Sequence, residues 1–327
     1  MAVARSRRGV EAGRKGPDTL VVPSFAKINL GLEVLGLRQD GHHELRTIFQ
    51  TVALKDDIVL RRKRSPGITI ECNHPEVPTD QRNLAYQAAR ELARRAHIKG
   101  GLAIQIEKRI PVAGGMGGGS SNAAAVLLGL DRLWALGLGP SGLHPIARRL
   151  GADVPYFLVG GTALGLARGE EVFPLLRQIR AQVVIVDPKR PVSTAAVFRR
   201  MDARLTPREN SNTIFRFVSR DLEGGRAFSV LSNDLEEAAL EEAPDLAAKV
   251  KRIRQVLARE GAMLASLSGS GSTYFGLFDD PLRARRAREA LAAEGFDART
   301  TRTLSHGQYR TAWSRWASPG RARVRTR

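Results

Sequence analysis

The spacing of apolar and polar residues changes period several times along the chain, and each change marks an expected element. From Leu20 to Gly36, one set of positions (Ala26, Ile28, Leu30, Leu32, Val34) is apolar. The alternate set holds Phe25, Lys27, Asn29 and Glu33, so the segment reads as a strand with two unlike faces. Arg38-Gln39-Asp40-Gly41 predicts a turn, with Asp-Gly as the hairpin signal. Glu44–Arg61 reads as a second strand ending at a Lys55-Asp56-Asp57 turn, and Ile68–Cys72 as a short third. Leu84, Ala88, Leu92 and Ala96 recur at helical spacing, which predicts a helix over Asn83–His97. Leu102–Lys108 alternates as a strand, Ser120–Leu136 and Ser141–Leu150 read as helices, and Tyr156–Val159 and Ala163–Ala167 as strands.

The second half opens on a buried strand, Gln182–Asp187. Helices are expected at Thr194–Met201, Ile214–Ser219, Asn233–Leu240, Ala247–Glu260 and Pro281–Glu294. Strands Leu264–Leu267 and Thr273–Phe278 flank Ser268-Gly269-Ser270-Gly271-Ser272, and Ala298–Thr303 closes the series. Strands and helices mix without strict alternation and without an internal repeat, which favours the α+β class.

The length, 327 residues, suits about two domains. The single cysteine, Cys72, allows no intrachain disulfide and fits a reducing, cytoplasmic setting. The most apolar long run, Val154–Ala167, is interrupted by Gly160 and Gly161 and falls short of the roughly 18 residues a membrane span needs. No secretory leader is recognisable, and no membrane association is expected.

The net charge is +19, part of it in arginine-rich ends over residues 1–18 and 306–327, read as basic tails, the first disordered. Such a balance suits nucleic acid or small anionic substrates. With 6% aromatics and no recognisable nucleic-acid motif, no specific nucleic-acid partner is expected.

The strongest chemical signal is Pro111-Val112-Ala113-Gly114-Gly115-Met116-Gly117-Gly118-Gly119-Ser120-Ser121, entered from a strand and left by a helix. Glycine lets backbone N–H groups approach an oxyanion with no Cβ in the way. The helix start adds unpaired N–H groups and the positive end of its dipole. The pattern is not GxxxxGK[ST], because Ser120 stands where lysine would, and not GxGxxG. Ser120 and Ser121 are free to cap the helix, contact a phosphate or ligate magnesium.

That run resembles the phosphate loop of the GHMP kinases, and Ser268–Thr273 is similar to their later glycine-rich motif. Ser24-Phe25-Ala26-Lys27-Ile28-Asn29-Leu30, Asp40-Gly41-His42-His43-Glu44-Leu45 and Gly151-Ala152-Asp153-Val154-Pro155 are similar to one branch, the 4-diphosphocytidyl-2-C-methyl-D-erythritol kinases. The matches run in order from about residue 21 to 303. The resemblance implies a two-domain α+β fold. Residues 19–180 would form an ATP-binding domain like ribosomal protein S5, and residues 181–305 a ferredoxin-like domain, with the site between them. It also implies ATP, with Mg2+ carried as Mg-ATP, and 4-CDP-2-C-methyl-D-erythritol, phosphorylated on its 2-hydroxyl in non-mevalonate isoprenoid synthesis. The competing reading is another GHMP-type alcohol kinase, of homoserine or mevalonate type. No protein metal ligand is assigned, and a monomer or weak homodimer is expected.

By the same resemblance Pro111 through Ser121 bind ATP, Asp153 matches the catalytic base, and Lys27 faces it to hold it ionised. On residue pattern alone Asp153 is a turn carboxylate and Lys27 a solvated strand lysine. Asn29 would reach the same pocket. His43 matches the residue that hydrogen-bonds cytosine, and Phe198 the ring on one cytosine face. The ring on the other face, usually Tyr or Phe, is His42 here, a departure that offers less stacking area. Phe198 reads equally well as a core residue. Gly269 and Gly271 let the second loop approach the substrate diphosphate or the first loop, or simply make a tight turn. Met116 replaces the usual Leu at similar volume.

Overall fold

The computed structural model describes residues 18–176, 178–202, 212–222 and 228–316. The expected N-terminal tail, but for Asp18, lies outside the described residues, as does 317–327.

β1 (Thr19–Leu37) and β2 (His43–Lys63) pair as an antiparallel hairpin closed at Asp40-Gly41. The register slips between Phe25 and Lys27 and again between Asn29 and Gly31. Each bulge re-aims the side chains around it. β3 (Ile68–Cys72), β4 (Gly101–Glu107), β5 (Thr162–Leu166) and β6 (Glu171–Pro174) complete a sheet ordered β3-β4-β2-β5-β6, with β1 on β2. α1 (Leu84–Arg95), α2 (Gly118–Leu133) and α3 (Gly139–Leu150) share one core with this sheet. α2 lies close to the strands because Gly129 faces them. A Cβ there would stand 2.5 Å from Leu60 Cδ1 and 2.8 Å from Val22 Cγ2.

α4 (Tyr156–Val159) is a single turn leading into β5. The second sheet begins with β7 (Gln182–Asp187), followed by α5 (Thr194–Asp202), α6 (Thr213–Leu222), α7 (Leu235–Glu242) and α8 (Leu246–Arg259). β8 (Leu264–Leu267), β9 (Tyr274–Phe278), α9 (Pro281–Ala293) and β10 (Asp297–Arg302) complete it. The order β10-β7-β9-β8, all antiparallel, with helices between the first and last strand pairs, is the ferredoxin-like arrangement. Ile28, Leu30 and Ile48 from the first sheet pack with Val183, Ile185 and Phe275 from the second, so a continuous core joins the two halves.

Three expectations need correction. β2 does not end at Lys55-Asp56-Asp57: it runs on through them. Asp56 is buried and accepts from Lys108 Nζ, Arg109 N, Ile110 N and Asn122 Nδ2 at 2.5–2.9 Å. An acid in a strand looks like a turn until its partners, 52–66 residues away, are known. Tyr156–Val159 is helical, because four apolar residues carry no period and Pro155 supplies a helical φ of −57° at the N-cap. Residues 306–316, expected in a basic tail, form α10 (His306–Trp316). Tyr309, Ala312 and Trp313 recur at helical spacing and pack against Phe25 and Leu304. The Tyr309 hydroxyl donates to Phe157 O at 2.5 Å.

Candidate active site

The glycine-rich run leaves β4, crosses the gap between the two sheets and starts α2. Gly115 and Gly117 have φ of +74° and +68°, and Gly117 is the left-handed N-cap of α2. A Cβ on Gly115 would lie 1.9 Å from Ser268 O, so the two glycine-rich loops touch backbone to backbone. Thr273 N donates to Gly114 O at 3.3 Å, and Ser268 Oγ to Gly115 O at 3.0 Å. The first loop is therefore held from the second half of the chain.

Lys27 sits beneath this junction, 3% exposed, between the first two of the three bulges of β1. Its backbone N–H donates to Met116 O at 3.1 Å. Its ammonium donates to Gly115 O at 2.8 Å and Asn29 Oδ1 at 2.6 Å, and stands 3.5 Å from Asp153 Oδ2. Asn29 Nδ2 donates to Thr47 Oγ1, which donates to Gly31 O, both at 2.7 Å. This chain of donors leaves Asn29 Oδ1 turned toward the lysine. Asp153 lies in the turn between α3 and α4, its side chain 32% exposed. Gly269, φ +57°, closes the far side: a Cβ there would be 3.1 Å from Gly115 O and 3.3 Å from Lys27 Nζ.

Two cavities meet at this point. One, about 360 Å³, is lined by Pro111–Ser120, Lys108 and Asn122, with Pro78 and Leu84 from the segment leading into α1. The other, about 380 Å³, is lined by Lys27, Asn29, Asp153, Arg168, Thr194, Phe198, Gly269 and Ser270, among others. Gly115, Gly117 and Ser120 line both.

Not every candidate residue reaches these cavities. Ser121 is buried; its hydroxyl donates to Phe25 O at 2.6 Å and accepts from Ser24 Oγ at 2.8 Å, so it braces α2 on β1. Met116 borders the first cavity, but its side chain is 1% exposed and joins the core between the halves. Gly271 lines neither cavity. His42 is exposed on the hairpin turn, bonded back to Asp40 through its backbone N–H at 3.1 Å. His43, not His42, stacks on Phe198, with ring centroids 4.8 Å apart and planes 28° apart. His43 Nε2 is 2.7 Å from Asp202 Oδ1. An ionised carboxylate only accepts, so Nε2 carries the hydrogen and Nδ1 of the neutral ring is an acceptor.

Arg168, Thr47, Phe49 and Asn233 were not singled out by sequence. Arg168 and Lys27 are the two cations lining the second cavity. Arg168 donates through Nε and its backbone N–H to Glu170 at 3.1 and 2.9 Å. Burial alone would raise the Glu170 carboxyl, but these bonds and one from its own backbone outweigh it and hold the carboxyl below the usual range. Asn233 donates to Leu267 O and Gly269 O at 2.9 and 2.7 Å, fixing the second loop. Thr47 and Phe49 do alternate in register on β2, opposite Leu32 and Asn29, but only pairing with β1 shows what they face.

Among the described residues no helix is long and apolar enough to cross a membrane, and no three His, Cys, Asp or Glu side chains gather to hold a metal.

Comparison with known proteins places this geometry. The family model for the GHMP kinases N terminal domain matches residues 83–161, and that for the GHMP kinases C terminal matches 222–297. A 4-diphosphocytidyl-2-C-methyl-D-erythritol kinase of Nostoc punctiforme is 38% identical over 314 residues, covering 88% of this chain and 96% of the relative. One from Moorella thermoacetica is 42% identical over 291 residues, 88% of this chain and all of the relative. The chain belongs to the 4-diphosphocytidyl-2-C-methyl-D-erythritol kinase family of the GHMP kinases. A crystal structure of a 4-(cytidine 5'-diphospho)-2C-methyl-D-erythritol kinase superposes with TM-score 0.71 at 35% identity, over 87% of this chain and 99% of that one. A homoserine kinase from Cytophaga hutchinsonii shares the fold at TM-score 0.64 but only 16% identity. The expected GHMP kinase fold is thus observed, and the homoserine and mevalonate types are distant neighbours of this family.

Proposed function

We propose that this chain transfers the terminal phosphoryl group of ATP to the 2-hydroxyl of 4-CDP-2-C-methyl-D-erythritol. The observation that carries this reading is the shared wall: Gly115, Gly117 and Ser120 line both cavities, with Lys27 and Asp153 just inside the second.

ATP would lie in the first cavity, its phosphates on the N–H groups of the glycine loop and the start of α2. The donor set there suits magnesium only as Mg-ATP, with Ser120 the hydroxyl at the junction; the ion would neutralise phosphate charge. The acceptor alcohol would lie against Asp153. As its oxygen bonds to the terminal phosphorus and the bond to the ADP oxygen breaks, Asp153 takes the hydroxyl proton. Lys27, anchored by Gly115 O and Asn29, holds the Asp153 carboxylate in place and places positive charge beside the transferring group.

The far end of the second cavity suits the cytidine half. Phe198 offers a ring face, and His43 Nδ1 offers an acceptor for the exocyclic amine of cytosine. Arg168, fixed by Glu170, suits the diphosphate. His42, exposed on the hairpin turn next to His43, would have to swing from its contact with Asp40 to cover the base. A cytoplasmic location is part of the same reading, since ATP chemistry and the free Cys72 suit a reducing compartment.

A substrate panel tests the proposal. The purified chain receives Mg-ATP with the CDP-linked alcohol, homoserine, mevalonate or galactose, and ADP release is followed. Turnover of the first alone is expected. Turnover of homoserine without the CDP substrate would overturn it.

A further inference from the structure

Away from both cavities, a groove of about 300 Å³ opens between β1, α2 and α10, and it shares no lining residue with either. Its walls are Leu20, Val22, Leu128, Leu158 and Trp313. Arg132, in the last turn of α2, and Arg310, on α10, both line it. Among the described residues neither guanidinium group makes a hydrogen bond or ion pair. Among the described residues the one carboxylate in the lining is Asp131, already engaged by the N–H groups of Leu138 and Gly139 at 2.8 and 3.0 Å.

An apolar trough edged by two guanidinium groups that have no partner among the described residues is complementary to one ligand chemistry. The ligand needs a hydrocarbon body to cover the wall and an anionic head to meet the arginines. Guanidinium binds phosphate or carboxylate through paired N–H bonds, and small-molecule sites are mostly apolar with a few placed polar groups. The groove lies at the small end of such sites, which limits the body to a short chain.

We propose that this groove binds a small amphiphilic anion, its short alkyl or alkenyl body against β1 and Trp313 and its phosphate or carboxylate head on Arg132 and Arg310. The ligand rests on elements that also build the active site. β1 continues from Pro23 to Lys27, α2 runs back from Leu128 to Ser120, and Leu158 follows Asp153 through α4. Tyr309 ties α10 to that last segment through Phe157 O.

The test uses the full chain with saturating Mg-ADP, so that the phosphate loop is filled, and isothermal titration with n-hexyl phosphate, hexanoate, 1-hexanol and inorganic phosphate. Stoichiometric binding of n-hexyl phosphate or hexanoate, at least tenfold tighter than 1-hexanol and inorganic phosphate, is expected. The relative affinity of the two anions assigns the head group. The double substitution Arg132→Ala and Arg310→Ala should weaken it at least tenfold with Tm and kinase turnover unchanged. Ser314→Phe, which fills the rim from an exposed position, should do the same. Anions that bind no tighter than 1-hexanol, or equally well to these variants, would overturn the proposal. So would binding that appears only after residues 1–17 are removed, which would make that segment the occupant, or binding to anionic lipid vesicles alone.

Discussion

Lys27 Nζ and Asp153 Oδ2 stand 3.5 Å apart, and the same ammonium donates to the carbonyl of Gly115 in the phosphate loop at 2.8 Å. One buried cation thus ties the carboxylate of one cavity to the backbone of the other. A strand, a glycine loop and a helix-to-helix turn, the last two 88 and 126 residues from Lys27 in sequence, are brought to a common point.

Asp153→Asn keeps the shape and removes the proton acceptor. ATP should bind with unchanged affinity, while kcat falls at least about a hundredfold. Lys27→Met should also depress kcat, and in addition loosen ATP, because Gly115 O loses a donor. Single-turnover kinetics with separate nucleotide titration checks both. Unaltered turnover in Asp153→Asn would remove it as the base.

His42→Tyr enlarges the ring on the hairpin. An added aromatic contact is worth about 0.5–1.5 kcal/mol, so KM for the cytidine substrate should fall roughly three- to tenfold with kcat unchanged. A KM that does not move leaves His42 as a turn residue bonded to Asp40.

Asp202 sets which ring nitrogen of His43 carries the hydrogen. In Asp202→Ala both tautomers become accessible, so an acceptor or a donor can face the base. The preference for the cytosine substrate over its uracil analogue should shrink about tenfold, as one directed hydrogen bond is lost. Paired kcat/KM values for the two substrates measure this.

Gly115→Ala places a Cβ 1.9 Å from Ser268 O at a φ of +74°. The backbone strain alone costs about 1–3 kcal/mol, and the two loops must part. Thermal unfolding should show a lowered Tm, with KM for ATP raised. At Gly119 the nearest heavy atom to a Cβ is 3.9 Å away, so Gly119→Ala should leave Tm unchanged.

Asp56→Ala removes a carboxylate that is fully buried beside Lys108, itself 5% exposed. Removing one member of a buried pair leaves the other charge without compensation and costs about 3–5 kcal/mol. Urea unfolding at neutral pH reads the loss directly; an unchanged midpoint would show that the Asp56–Lys108 pair adds nothing to stability.

The chain order of motifs was enough to place this sequence in its family, because a glycine loop, a Gly-Ala-Asp-Val-Pro turn and a second glycine loop in series leave few alternatives. The α+β class and most elements were also legible, since amphipathic periods survive in a single sequence. What periodicity cannot express is which distant residues meet. Asp56 looked like a turn because an acid in a strand has no local partner; its partners come from α2 and from the segment between β4 and α2. α10 looked like a tail because arginines surround its three packing residues. Arg168 and Asn233 carry no motif of their own and acquire a place only through Glu170 and the Gly269 loop. Residue type and spacing determined the chemistry available to this chain. Tertiary contacts decided which of two adjacent histidines stacks on Phe198 and which serine of the loop is spent on structure, because those outcomes depend on side-chain direction across a bulged strand and a packed helix, and neither direction is written in local order.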